Sequence, residues 1–180
     1  MYEVEVKVPA DIEAVAERLD EVGAEQVDTV IQEDTYYNAP HRDFEETDEA
    51  FRIRRETRKG ETEAKITYKG PLLEAESKSR EEFETGVEDG DDADAIVQHL
   101  GFDAAATVRK NRRVYQVRGY AVTLDAVDDV GEFVEVERET EGDIEPVREG
   151  AYEVLRDLGL DPNNQERTSY LGMLLEDAEQ

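Results

Sequence analysis

Apolar and charged residues alternate from the start of the chain: Val4 and Val6 fall on one parity, Glu3, Glu5 and Lys7 on the other. Side chains in a strand alternate faces with a period of two, so residues 2–8 predict a strand with one apolar and one charged face. The period then changes. Pro9 and Asp11 open a helix over 11–22, where Ile12, Val15, Ala16, Leu19 and Val22 recur on one side before Gly23 ends it. Strand patterns return over 29–37, 50–58, 62–69 and 79–87, with a loop over 38–49 and a hairpin turn at Lys59-Gly60. Gly70-Pro71 is expected to stop the fourth strand, and 72–78 reads as a mobile loop. A short helix is expected over 93–101, and strands over 106–117, 120–127 and 132–139. The last pair is joined by the turn Asp128–Gly131. A helix over 145–158 buries Val147, Ala151, Val154, Leu155 and Leu158, and the tail from Asn163 to Leu175 carries one more helical turn.

About eight strands with few helices predict an α+β chain, and that many antiparallel strands can close into a barrel. The 180 residues suffice for one domain spanning 1–180, and no linker divides them. With no cysteine, disulfides and thiolate metal sites are excluded. No apolar run reaches the roughly 18 residues of a membrane span, and the N-terminus already reads as a charged strand, so the cytoplasm is the expected location.

Charge sharpens the picture. The chain carries 48 acidic and 21 basic residues, a net charge of −27, which disfavours binding to a nucleic acid duplex. It fits a halophilic, solvated surface working in high salt, where screening is short-ranged. Only six lysines are present: Lys7, Lys59, Lys65, Lys69, Lys78 and Lys110.

The charged strand faces admit two readings. Each is the solvent side of its strand, or together they line a charged interior. Arg52 with Arg54, Lys65 with Lys69, and Lys110 with Arg112 make basic faces in a chain with more than two acids per base. Glu3 with Glu5, and Glu135 with Glu137, make acidic ones. Arg80, Glu82 and Glu84 share a face, and so do Thr123 and Asp125. A one-residue register slip would exchange Glu82 for Glu81. Such a mixture is unexpected of a surface that follows the overall composition, and expected of a tunnel in which carboxylates hold hard cations and bases hold phosphates. It suits a metal–triphosphate complex better than a nucleic-acid groove, which would interleave aromatics with the bases.

The Glu3-x-Glu5-x-Lys7 strand resembles the N-terminal signature of the CYTH superfamily of triphosphate tunnel enzymes. The chain is most similar to the class IV adenylyl cyclases of the CyaB type. The resemblance runs in order through Asp34-Thr35-Tyr36-Tyr37, Pro40, Arg42-Asp43-Phe44 and Thr47-Asp48-Glu49-Ala50. It continues through Arg52-Ile53-Arg54, Thr67-Tyr68-Lys69-Gly70-Pro71, Lys110-x-Arg112, Leu124-Asp125, Gly131-x-Phe133-x-Glu135-Val136-Glu137 and Ser169-Tyr170-Leu171.

The resemblance implies an eight-stranded antiparallel tunnel barrel with flanking helices. By it, Glu3, Glu5, Glu135 and Glu137 match catalytic, metal-binding carboxylates, with Glu82 and Asp125 as further acidic ligands. Lys7, Arg52, Arg54, Lys69, Lys110 and Arg112 match the triphosphate-binding bases. The implied cofactor is Mg²⁺ or Mn²⁺, and a homodimer is expected. The implied activity is conversion of ATP to cyclic AMP and pyrophosphate. The alternatives are a phosphohydrolase of inorganic, thiamine or nucleoside triphosphate, and a non-catalytic polyphosphate- or nucleotide-binding module. Asp11, Asp43 and Asp128 are expected to serve a cap, a loop and a turn, and His41 a structural role.

Overall fold

The computed structural model describes residues 1–179. Among them, in chain order, are β1 (Tyr2–Pro9), α1 (Ile12–Glu21), β2 (Glu25–Asn38), β3 (Ala50–Arg58), β4 (Glu61–Leu72), β5 (Arg80–Val87) and α2 (Gly90–His99). There follow β6 (Asp103–Val117), β7 (Tyr120–Val127), β8 (Gly131–Thr140), α3 (Ile144–Asp157), a 3₁₀ turn (Pro162–Asn164) and α4 (Tyr170–Ala178). The strands close into an antiparallel barrel in the order β1-β5-β4-β3-β2-β6-β7-β8, the architecture that the alternating pattern predicts.

Local chemistry sets the element ends. Asp11 caps α1, its carboxylate accepting from the backbone of Glu13 and Ala14. Lys59-Gly60 and Arg118-Gly119 both turn with positive φ, as tight hairpins between twisted strands require. Several boundaries differ from the sequence expectation. β2 and β6 both start earlier, at Glu25 and Asp103, because they pair along nearly their whole length, through two register shifts. α2 starts at Gly90, capped by Asp89. Pro71 does not end β4: the ladder to β5 shifts between Lys69 and Leu72, so the missing N–H falls in an irregularity. The tail forms the full helix α4, capped by Ser169.

The main core lies outside the barrel. Val6 and Val8 of β1, Val122 and Leu124 of β7, and Val134 and Val136 of β8 pack against Leu19 of α1 and Leu155 of α3. α3 comes close enough that a Cβ on Gly150 would lie 2.0 Å from the Tyr120 hydroxyl, which donates to the Val147 carbonyl at 2.9 Å. α2 covers a second apolar patch, with Val97 on Tyr37 and Ile53. One barrel end is closed from within by Val108, Val127 and Phe133 against Tyr170 of α4.

The seam between β1 and β5 is short, with only Tyr2–Glu81 and Glu3–Arg80 in register. Beyond it the segment before β5 folds back, the Leu73 N–H donating to the Ser79 carbonyl and the Lys78 N–H to the Glu5 carbonyl. This brings Lys78 into the barrel wall.

Candidate active site in the barrel tunnel

The apolar parity of β1, β7 and β8 faces α1 and α3, and the charged parity of the strands lies inside. Lys7 lies opposite Glu135 and Glu5 opposite Glu137 across the β1–β8 ladder. Asp34 lies opposite Arg54, and Asp125 opposite Arg112. The cavity has a volume of about 1090 Å³.

Three carboxylates converge on it. Glu3, Glu5 and Glu137 each place a carboxylate oxygen within 4.8 Å of the other two. Lys69 donates to Glu3 at 2.7 Å and lies 3.0 Å from Glu82, while Lys78 donates to Glu5 at 2.8 Å. Burial disfavours the Glu3 anion, but the Lys69 ammonium, a hydrogen bond with Glu82 and the Arg52 charge together outweigh it and hold Glu3 down at about 2. Burial and then the Glu3 charge push Glu137 up to about 8. Glu82 is pushed up to about 7 by burial, opposed by Lys69 and reinforced by Glu3. Without a cation the crowding thus keeps one carboxyl of the trio protonated, a proton that a bound cation would displace. Three converging oxygen-only donors fit a hard divalent cation such as Mg²⁺ or Mn²⁺.

The bases occupy the facing wall. Arg54 makes a two-point contact with Asp34, Nε to Oδ1 at 2.6 Å and Nη2 to Oδ2 at 2.7 Å. Arg52 reaches the same carboxylate at 3.7 Å, and its buried Nε has no hydrogen-bond partner. Burial opposes the Asp34 anion, but Arg52 and Arg54 hold it well below the usual range. Arg112 bridges Asp125, at 2.7 and 2.5 Å, and Glu135, at 2.6 Å. Lys110 differs: among the described residues no carboxylate oxygen lies within ion-pair distance of it. Burial and then Arg112 lower it to about 8. A cationic wall with an uncompensated lysine is suited to a polyanion.

The structure thus brings Glu3, Glu5, Glu82, Glu135, Glu137, Arg52, Arg54, Lys69, Lys110 and Arg112 to one cavity. Glu82, not the exposed Glu81, takes the interior side. Two of the expected site residues lie off the cavity wall. Asp125, matched to the metal carboxylates, lies beneath Arg112, fully buried, with a third contact from the Tyr170 hydroxyl at 2.8 Å. Lys7 is also off the cavity wall, its Nζ donating to the Thr168 carbonyl at 2.7 Å. Parity gives the side of a strand, not the depth at which a side chain stops.

Sequence reasoning missed Lys78 and Asp34. Lys78 was read into a mobile loop, yet Ser77 and Ser79 beside it are fully buried. Its signal was its presence among only six lysines. Asp34 lies buried beneath Arg54 and shares a parity with Gln32 and Tyr36, which line the cavity.

The raised carboxyls predict a pH dependence of the metal-free protein. Glu137 and Glu82 keep their protons from about pH 5 to about 7, where the unfolded chain has lost its own. The folded state therefore binds more protons, and stability falls as pH rises across that window. Above it Lys7 and Lys110, lowered to about 7 and 8, work in the opposite sense. Thermal melts in a chelator are expected to decline from pH 5 to 7, and Mg²⁺ to flatten the decline. A flat profile in chelator would contradict the crowded acidic trio.

A closed antiparallel barrel around a tunnel with an acidic cluster and a facing basic wall defines a triphosphate tunnel enzyme. The CYTH domain model matches residues 1–170, and the chain belongs to that family, whose members act on triphosphates with divalent metals. A Methanocaldococcus jannaschii protein named "Putative adenylate cyclase" is 37% identical over 174 residues, covering 95% of this chain and 97% of its own. The structure of a Pyrococcus horikoshii OT3 protein superposes with a TM-score of 0.91 at 38% identity, covering 97% of this chain and 99% of that one. A Hippeastrum protein, described as a putative adenylyl cyclase with a dominant triphosphatase activity, shares the fold. Its TM-score is 0.69 at 19% identity, over 98% of this chain and 95% of that one.

Proposed function

We propose that this chain is a class IV adenylyl cyclase, converting ATP to cyclic AMP and pyrophosphate with Mg²⁺ or Mn²⁺. The observation that carries the reading is the make-up of the tunnel wall. The cavity exceeds the common range of small-molecule sites, about 300–1,000 Å³, and is larger than a bare triphosphate requires. Beside the bases it is lined by Tyr36, Phe44 and Leu171 toward one end and by Val30 and Val114 toward the other, apolar surface of the kind suited to a nucleoside. The cyclase name of the M. jannaschii relative supports the same reading.

A divalent cation held by Glu3, Glu5 and Glu137 would lower the pKa of the ribose 3′-hydroxyl and offset charge on the phosphates. Arg52, Arg54, Lys69, Lys110 and Arg112 would hold the triphosphate so that the 3′-oxygen faces the α-phosphorus. The new bond forms between them while the α-phosphorus–oxygen bond to the β-phosphate breaks. Pyrophosphate leaves with the electron pair, its growing charge stabilised by the same bases. The hydroxyl proton passes to a carboxylate of the acidic trio or to solvent.

A hydrolase reading uses the same wall with water as the nucleophile, and the fold neighbour from Hippeastrum favours keeping it in the test. The test is chromatography of products after separate incubation with ATP and inorganic triphosphate, in high salt with Mg²⁺ or Mn²⁺. Cyclic AMP with pyrophosphate is expected. Orthophosphate without cyclic AMP would replace the cyclase with a phosphohydrolase. Turnover of neither would leave a binding role.

A further inference from the structure

We propose that Tyr170, the first residue of α4, is a positioning residue for the triphosphate-binding bases at its end of the tunnel. The inference rests on the triphosphate reading above. Tyr170 is 6% exposed and reaches into the barrel, its ring 5.2 Å from that of Phe133. Two contacts leave it in different directions. The hydroxyl donates to Asp125 Oδ2 at 2.8 Å, and Asp125 in turn grips Arg112 through both oxygens. The ring face carries two ammonium groups, Lys7 Nζ at 4.1 Å and Lys110 Nζ at 4.9 Å from the centroid. One side chain therefore bears on three bases from two strands.

The chemistry explains why an aromatic side chain suits this place. Most bases of the tunnel are already paired with a carboxylate: Arg54 with Asp34, Lys69 with Glu3, Lys78 with Glu5. Lys7 and Lys110 have no such partner among the described residues. A carboxylate here would neutralise them and compete with phosphate for their protons. An aromatic face attracts the ammonium groups through its quadrupole and leaves their formal charge intact. It fixes Lys7 behind the cavity wall and Lys110 on it, and leaves Lys110 available to an anion. Tyr170 is itself fixed by a local frame: Ser169 Oγ accepts from the Gly172 N–H at 2.9 Å, Lys7 Nζ donates to the Thr168 carbonyl at 2.7 Å, and the Glu166 N–H donates to the Lys7 carbonyl at 2.7 Å.

The test compares Tyr170→Phe, which keeps the ring and loses the hydroxyl, with Tyr170→Leu, which loses both. KM and kcat are measured for whichever of ATP and inorganic triphosphate the wild type turns over, with Mg²⁺ in high salt. Arg54→Ala, across the tunnel, serves as the control. Tyr170→Phe is expected to raise KM about tenfold with kcat little changed, the scale of one hydrogen bond to a charged group. Tyr170→Leu is expected to raise it further, about a hundredfold, because the ring contacts go as well. A merely structural role would lower the active fraction, and with it the maximal rate, at unchanged KM. Should Tyr170→Leu fail to fold, Tyr170→Phe and Asp125→Asn carry the test, both with raised KM. If Arg54→Ala raises KM while the two Tyr170 variants and Asp125→Asn leave it unchanged, the inference is overturned and the triphosphate reading stands. If the wild type turns over neither substrate, the same variants are compared by Kd for inorganic triphosphate: unchanged affinity in the Tyr170 variants overturns the inference alone, and no binding by the wild type overturns both readings.

Discussion

Glu5→Gln is expected to lower turnover by at least about 10²–10³-fold, the scale of removing one electrostatic contact aimed at the reacting centre. The substitution keeps the shape of the side chain, and its amide oxygen can still accept from Lys78, which now lies 2.8 Å from Glu5 Oε1. The fold is therefore expected to survive. What disappears is one of the three carboxyl groups that converge within 4.8 Å. Cation affinity should fall with it, so activity should recover partly at high Mg²⁺. Triphosphate affinity should fall less, because the basic wall is untouched. Steady-state kinetics across a Mg²⁺ series, with a thermal melt beside it, checks all three expectations. Unchanged turnover would mean that the acidic face takes no part in the reaction.

The second large effect is on stability. Asp34 is 1% exposed and is the carboxylate partner of both Arg52 and Arg54. Asp34→Asn keeps the volume and removes the charge, leaving two buried guanidinium groups without compensation. Breaking a buried pair from one side costs about 3–5 kcal/mol. For a chain of this size that is a drop in Tm of roughly 6–20 °C. The same loss makes the wall more cationic, so inorganic triphosphate should raise the Tm of the variant more than that of the wild type. A variant that melts with the wild type would show that the pair is effectively solvated.

These two residues were not equally legible. Glu5 stands in an uninterrupted alternation, where Val4 and Val6 fix the apolar side and so the charged one. The same rule carried Arg52, Arg54, Lys69, Lys110 and Arg112 to the interior, and the barrel followed from the number of alternating segments. Asp34 obeys the rule too, but in β2 its neighbours Gln32 and Tyr36 carry no charge to mark the face. Lys78 obeys no period at all. Its position follows from the backbone contact of its own N–H with the Glu5 carbonyl, and from Tyr152 and Gln165 donating to the Glu76 carbonyl. Those partners are far away in the chain, and no local pattern announces them. Asp125 shows the complementary limit: its parity was right, but its partners Arg112 and Tyr170 become apparent only once three separate segments are brought together.

The division of labour along each strand has a consequence for how the chain can change. Alternate residues of β1 belong to the core beneath α1 and α3 and to the tunnel, and β7 and β8 follow the same rule. Insertion or deletion of one residue within such a strand moves valines into the charged tunnel and carboxylates under the helices, losing core and site together. Single-residue changes in length are thus tolerable in the turns and at irregularities such as those of the β2–β6 and β4–β5 ladders, where an extra residue leaves the two faces in place. In the regular stretch of β1, the chain diverges by substitution, position by position on the two faces.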